Sequence, residues 1–203
     1  MTKKEAILLA AQEAFGQLGY SATTVKGVAN RAGVSFGLVS HYFGSKQDLF
    51  LAAGYDMAQR LIATLETATA NSESGIRAVE TYMTTYFAFT MEERERFPIL
   101  LRCSPFSHIE PGVDASKVAE QFRVFIDVLQ SCVQRGMDDG TVIRKHTPEM
   151  AALIIYGNIV GAVRTNLLSP YDSGTIYAET VEHVIRSLRT DTAEQAETAQ
   201  GEA

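Results

Sequence analysis

The chain has no tryptophan, two cysteines, five prolines and four histidines in 203 residues, and each scarcity excludes something. Cys103 and Cys132 lie in no CxxC or Cys/His cluster, so neither a zinc site nor a disulfide framework is expected. His41, His108, His146 and His183 are scattered, without metal-ligand spacing, paired catalytic carboxylates or a phosphate-binding glycine loop nearby. No catalytic, metal or cofactor site is therefore expected. Alternating Val/Ile/Thr runs are also scarce, which argues against a sheet. No long apolar run is present either: Ala6 to Ala11 is too short for a signal peptide, and Ala151 to Val163 is 13 residues interrupted by Asn158, well short of a membrane span. A cytoplasmic, all-α protein without a membrane partner is the expectation. At 46% hydrophobic content it can bury roughly 70% of its unfolded surface.

The net charge of −6 is unevenly divided. Residues 1–47 carry five basic and two acidic side chains; residues 48–203 carry 13 basic and 22 acidic ones. A basic end on an acidic body orients toward a polyanion and repels it elsewhere. The expected domains are 1–47, a DNA-binding domain; 48–190, a helical body; and 191–203, an acidic tail with no large apolar residue, expected to be disordered.

Thr23 to Phe43 holds two short helical patterns joined by a glycine. Val25, Val28, Ala29 and Ala32 recur at i, i+3, i+4 and i+7, with Thr23 or Thr24 as N-cap. Gly33 then suits a left-handed C′ position, which turns the chain while Val34 stays buried. Ser35 caps a second helix to about Tyr42, two turns long and too short to stand alone. Before this motif, Ile7, Leu8, Ala11, Phe15 and Leu18 make a stripe that Gly19 ends.

Beyond it, Ser45 is placed to cap a long helix from about Lys46 toward Ala70, a lever between the basic end and the body, with Leu49, Phe50, Ala53, Met57, Leu61 and Leu65 on one face. Ile76 to Met91 is helical with two apolar rows, Val79/Met83/Phe87 and Tyr82/Tyr86/Phe89, so it meets neighbours on two sides. A short helix around Glu93 to Cys103, an irregular loop to Asp114, and an amphipathic helix from Ala115 to Met137 follow. Thr147, Pro148 and Glu149 start a helix to Leu168 that is apolar nearly all round. Its Gly157 and Gly161 allow another helix to approach closely, which favours a subunit interface. Asp172 or Ser173 begins the last helix, with Val181, Val184 and Ile185 at helical spacing; this pair of helices can form a four-helix bundle with a two-fold mate.

Ala11, Phe15, Gly19, Thr24, Val25, Val28, Ala29, AGVS at 32 to 35, Gly37, Phe43, Ser45, Lys46 and Leu49 resemble the N-terminal signature of the TetR family of repressors, over about 45 residues without a gap. The resemblance implies a nine-helix, Ω-shaped homodimer with a three-helix DNA-reading domain, a ligand-binding body, and dimerisation through the last two helices. The run Ser40-His41-Tyr42-Phe43, where family members often begin with Tyr, is similar to that of choline-responsive repressors of the family.

On that reading Ser35, Phe36, Ser40 and His41 face DNA, and Gly37 lets the backbone approach the groove floor. By resemblance, Thr24, Tyr42 and Lys46 contact phosphates. Met83, Tyr86, Phe87, Arg102, Phe106, Phe122, Phe125 and Tyr156 are expected around a small-molecule effector of unknown identity. Gly157, Gly161, Val181, Val184 and Ile185 are expected at the homodimer interface. The expected function is a ligand-responsive regulator, a repressor released from a double-stranded DNA operator by a small molecule. The alternative is an architectural DNA binder with no effector. Gly33 to Gly37 also matches G-x-S-x-G, but that elbow needs a strand before it, and VANRA is helical.

Overall fold

The computed structural model describes residues 1–104 and 115–190. Among them are nine helices, α1 (Lys3–Ala22), α2 (Val25–Arg31), α3 (Phe36–Phe43), α4 (Lys46–Thr69), α5 (Gly75–Glu92), α6 (Pro98–Arg102), α7 (Ala115–Asp138), α8 (Pro148–Leu168) and α9 (Ile176–Leu188), and no strand. An isolated antiparallel bridge pairs Val142 with Arg189. The expected acidic tail lies outside the described residues.

Short-range caps start most of these helices. Thr2 and Glu5 form a reciprocal capping box at α1, 3.2 and 2.8 Å. Ser45 and Asp48 do the same at α4: the Asp48 carboxylate accepts from the Ser45 amide and hydroxyl, at 3.2 and 2.6 Å, and the Ser45 oxygen accepts from the Asp48 amide at 3.1 Å. Those Ser45 bonds hold the Asp48 carboxyl below its usual range. Thr147 caps α8 ahead of Pro148.

The chain divides into two compact units, residues 1–61 with 90–123, and residues 62–89 with 124–203. In the first, Ile7, Ala11 and Phe15 of α1 are buried with Val28, Val39, Leu49, Phe50 and Ala53. Phe15 and Tyr20 both meet the Phe50 ring edge-on at 5.1 Å. Phe15 is fully buried, so truncating it to alanine costs about 3–5 kcal/mol. Helix α6 packs on α1, where a Cβ on Gly16 would lie 3.3 Å from the Glu95 carbonyl.

In the second unit, Leu65, Val79, Tyr82, Met83, Leu129, Val133, Ile155 and Ile159 form the core. The start of α5 meets the end of α7 backbone to backbone: a Cβ on Gly75 would fall 1.9 Å from the Gly136 nitrogen. The Gly75 and Ile76 amides, which α5 cannot satisfy, donate to Asp139 and Thr141 at 2.7 and 3.1 Å.

Four expectations shift. Helix α1 bends at Gly19 (φ 80) and runs one more turn to Ala22, and Leu18 is 57% exposed while Ala10 and Ala14 are buried instead. The helix expected from Glu93 is confined to Pro98–Arg102: residues 93–97 form a turn in which the Glu93 carboxylate meets Arg60 and Arg96, and Pro98 has no amide with which to carry a helical ladder back through them. Helix α9 starts at Ile176, since the Asp172 carboxylate accepts from the Gly174 amide at 3.0 Å and closes a turn. Val34 is half-buried rather than buried.

Candidate nucleic-acid interface and effector region

Thr24 is the N-cap of α2, its hydroxyl accepting from the Gly27 amide at 3.0 Å. Thr23 is buried one residue earlier and does something else. Its hydroxyl bridges the Ala14 and Gly19 carbonyls, at 3.1 and 2.8 Å, and so closes the bend in α1. Helix α2 ends in a Schellman motif: the Gly33 amide donates to Asn30 and the Val34 amide to Ala29, at 3.2 and 3.0 Å, with Gly33 at φ 64. Ser35 then caps α3, accepting from the Leu38 amide at 3.2 Å. The Ser35 oxygen is thus engaged in a cap between two helices, and no strand precedes the G-x-S-x-G run.

Val39 and Phe43, four residues apart, are buried and anchor α3. This turns residues 37 and 41 to the opposite side, where both are exposed, while Phe36, 56% exposed at the start of the helix, and half-buried Ser40 flank the buried pair. Tyr42 is 44% exposed beside them. Nothing lies within 4 Å of a Cβ built on Gly37. A glycine with open space and an ordinary φ is not required by the fold of its own chain.

Lys46 is more engaged than its sequence position suggests. Its ammonium donates to the Ser21 carbonyl at 3.3 Å and sits 4.4 Å from the Tyr20 ring centroid. An ammonium has three donors, so these contacts fix its place near the end of α1 and leave capacity for an anion. Arg31 of α2 is paired with Glu13 at 3.2 Å, whereas Lys26 is exposed on α2. Sequence reasoning counted Lys26 only as charge; its place on the first helix of the motif was the available signal.

The residues expected around an effector separate. Tyr86, Phe125 and Tyr156 come together in the second unit: Tyr86 meets both other rings edge-on at 6.2 Å, and Phe125 stacks on Tyr156 at 6.1 Å. Met83 is fully buried in the same unit. The Tyr86 and Tyr156 hydroxyls are hydrogen-bonded to one another. Tyr82, missed as a site residue, donates to the Phe125 carbonyl at 3.0 Å. Burial pushes the phenols of Tyr82, Tyr86 and Tyr156 up, so all are neutral at physiological pH. Phe87 turns elsewhere and stacks on Tyr177. Arg102 and Phe122 belong to the first unit; the Arg102 Nε donates to the Gly16 carbonyl at 3.3 Å, and Phe122 is buried. Phe106 lies outside the described residues.

Helix α8 is two-sided. Ala151, Ala152, Ile155, Tyr156, Ile159, Ala162 and Val163 are buried within the chain. Met150, Leu153, Ile154 and Leu168 are exposed together with Gly157 and Gly161, at each of which an added Cβ would meet open space. Among the described residues α8 is the helix long and apolar enough by composition to cross a membrane, and its buried side belongs to the core of the second unit. Of the α9 residues expected at a dimer interface, Val181 is half-buried while Val184 and Ile185 are buried within their own chain. No group of three or more His, Cys, Asp or Glu side chains forms a metal cluster among the described residues.

A capped α2, a Schellman turn and a short α3 carrying a solvent-facing polar side define a helix-turn-helix DNA-binding regulator. Residues 7–53 match the family described as bacterial regulatory proteins, tetR family. The chain is 31% identical to the HTH-type transcriptional regulator BetI of Paraburkholderia xenovorans, over 56% of this chain and 72% of that one. It is 28% identical to the HTH-type transcriptional repressor AcnR of Corynebacterium glutamicum, over 68% and 67%. The fold matches that of the transcriptional regulator FadR from Bacillus subtilis in complex with stearoyl-CoA, with TM-score 0.77 and 18% identity over 91% and 98% of the two chains. The chain belongs to the TetR family of transcriptional regulators. Its relatives are regulators rather than enzymes, and no catalytic family is indicated.

Proposed function

We propose that this protein is a ligand-controlled repressor that binds an operator in the cytoplasm as a homodimer and leaves it when a small molecule occupies the helical body. The observation that carries the reading is the outward side of α3, with Gly37 in open space between exposed Phe36 and half-buried Ser40. In this reading Ser35, Phe36, Gly37, Ser40 and His41 enter the major groove, and Thr24, Tyr42 and Lys46 meet phosphates. Residues 1–47 read DNA and 48–190 bind the effector and dimerise. The exposed α8 stripe with Gly157 and Gly161 is the self-complementary face, joined by the outer side of α9 near Val181.

Two recognition helices must sit about 34–36 Å apart to enter successive major grooves. An effector lowers operator affinity only by its preference for a dimer with another spacing, tenfold for each 1.4 kcal/mol of differential binding, roughly. The AcnR relative bears the name repressor and the FadR structure holds stearoyl-CoA, which supports repression and a small-molecule effector here. Tyr86, Phe125 and Tyr156, with Met83 and Phe87, are the body residues assigned to effector response.

The test is a gel shift on the DNA upstream of the protein's own gene, titrated with candidate ligands. Saturable binding reversed by one ligand class supports the reading. Binding that no ligand moves leaves an effector-independent DNA binder, and absence of operator binding refutes both.

A further inference from the structure

Helix α1 does not run straight to Ala22. Gly19, at φ 80 and ψ 173, breaks its path, and the turn beyond the bend carries Tyr20 and Ser21. That last turn is what holds Lys46. The Lys46 ammonium donates to the Ser21 carbonyl at 3.3 Å and lies 4.4 Å from the centroid of the Tyr20 ring, which itself meets the Phe50 ring edge-on at 5.1 Å. The direction in which the turn leaves the bend therefore sets where the Lys46 charge stands.

Two side chains secure the bend. Thr23 reaches the Ala14 and Gly19 carbonyls from within the same segment. The second comes from far along the chain: Arg102, the last residue of α6, donates from Nε to the Gly16 carbonyl at 3.3 Å, and its Nη1 lies 3.3 Å from where a Cβ on Gly19 would stand. Gly16 and Gly19, three residues apart, share one side of α1, and both face the 95–102 segment. A Cβ on Gly16 would fall 3.3 Å from the Glu95 carbonyl and 3.4 Å from that of Arg96. The guanidinium thus rests directly on the residue at which α1 departs from helical geometry, and a hydrogen bond from a charged donor is among the stronger ones available there. All of these residues belong to the first unit.

We propose that Arg102 is a positioning residue for DNA binding: by donating to Gly16 against the Gly19 bend it sets the last turn of α1, and through Tyr20 and Ser21 it holds the Lys46 ammonium ready for a DNA phosphate. This deepens the reading above and rests on it for Lys46 as a phosphate contact; Arg102 itself stays off the DNA. The gain is pre-organisation, since a lysine already held in place gives up less side-chain freedom when it meets the phosphate.

Two variants separate the donor from the charge. Arg102→Met keeps an unbranched stem and removes the donor, whereas Arg102→Gln places an amide nitrogen on Cδ, where Nε was, and keeps the donor without the charge. The first readout needs no DNA. In the full chain the Tyr20 ring current shifts the Lys46 ε-methylene proton resonance upfield, a signal assigned by its absence in Lys46→Ala. Arg102→Met should return it toward the other lysines, and Arg102→Gln should leave it in place. The second readout is fluorescence anisotropy on a labelled duplex of random sequence across a salt series, because a phosphate contact acts on all sequences. One contact adds about 0.9 to the slope of log affinity against log salt, worth about eightfold at 0.1 M relative to 1 M, so Arg102→Met should lose about threefold or more at 0.1 M with a shallower slope. Arg102→Gln should stay within about twofold, and in a Lys46→Ala background Arg102→Met should cost nothing further. A resonance that Arg102→Met leaves in place, equal losses in the Met and Gln variants, a loss that persists in the Lys46→Ala background, or a lowered Tm with unchanged binding overturns the proposal. If Lys46→Ala leaves affinity and slope unchanged, the phosphate reading of Lys46 falls and the proposal with it; if Lys46→Ala weakens binding and Arg102→Met does not, the proposal alone falls.

Discussion

Gly37→Ala separates what the fold needs from what DNA binding needs. Gly37 is the second residue of α3 after the Ser35 cap, and it is not among the glycines with positive φ. An added methyl group meets nothing within 4 Å, so the free protein has no steric objection to it. Alanine is the better helix former by about 0.5–1 kcal/mol in a helix interior, and in the first turn roughly half of that is expected. On a chain of this size about 0.5 kcal/mol raises Tm by about 1–2 °C, measured by circular dichroism at 222 nm. On an operator, the same methyl stands between the α3 backbone and the base edges. Retreat of the helix breaks at least one direct base contact in each half-site, which costs about 1–3 kcal/mol per contact. Fluorescence anisotropy on labelled operator should thus show a loss of tenfold or more, roughly, while affinity for random duplex changes little. A variant that melts slightly higher and reads its operator poorly supports the groove-floor role of Gly37. Unchanged operator affinity refutes it, and a lowered Tm refutes the packing account. Gly33→Ala is the contrasting control: its φ of 64 puts any side chain in the left-handed region, so it should lower Tm although its Cβ also meets open space.

Lys46→Ala should weaken binding to all sequences and reduce the slope of log affinity against log salt by about one; an unchanged slope would assign Lys46 wholly to its contacts with Ser21 and Tyr20. Gly157→Arg, on the exposed side of α8, should convert the proposed dimer to monomers in sedimentation velocity with little change in helicity, and a variant that stays dimeric would move the interface elsewhere. Tyr82 and Tyr86 are acids held above their ordinary value of 10.0 by burial, so the unfolded chain loses those protons first and the stability they contribute, complete below about pH 10, declines as pH rises above it. Tm should accordingly hold from pH 7 to about 9.5 and then fall, less steeply in a Tyr82→Phe/Tyr86→Phe chain; equal slopes would refute the attribution. Tyr82→Phe alone should cost about 1 kcal/mol in urea unfolding, because the Phe125 carbonyl loses a buried donor.

The helix-turn-helix was readable from sequence because every device that builds it is short-range. The Thr24 and Ser35 caps, the Gly33 turn and the Val39/Phe43 pair each span no more than five residues. The boundaries of α8 were equally plain, since Thr147 and Pro148 mark its start. What escaped depends on distant partners. Leu18 fits the stripe of a straight helix, but Gly19 bends α1, and Thr23 secures the bend by reaching the Gly19 carbonyl and, nine residues back, that of Ala14. Helical phase places Arg102 among the expected effector residues, yet its guanidinium meets a carbonyl 86 positions earlier in the chain. Phe87 shares a helix face with Met83 by spacing, and only the position of Tyr177 on α9 decides that its ring stacks there instead of joining the closed aromatic cluster.

That division bears on how the two halves of the proposed function can be changed. The reading face of α3 is held by local caps and two buried side chains, so its outward residues can vary without disturbing the fold that presents them. The aromatic interior around Tyr86 has no such freedom, because Tyr86, Phe125 and Tyr156 contact one another and two of their hydroxyls are bonded together. Any ligand admitted there must first separate rings that already fill each other's space, and it loses that packing before it gains its own. Tyr86→Phe, which removes the bond to Tyr156 while keeping the ring, should cost about 1 kcal/mol in urea unfolding, and an unchanged midpoint would refute the claim that this bond holds the cluster as well as its packing does.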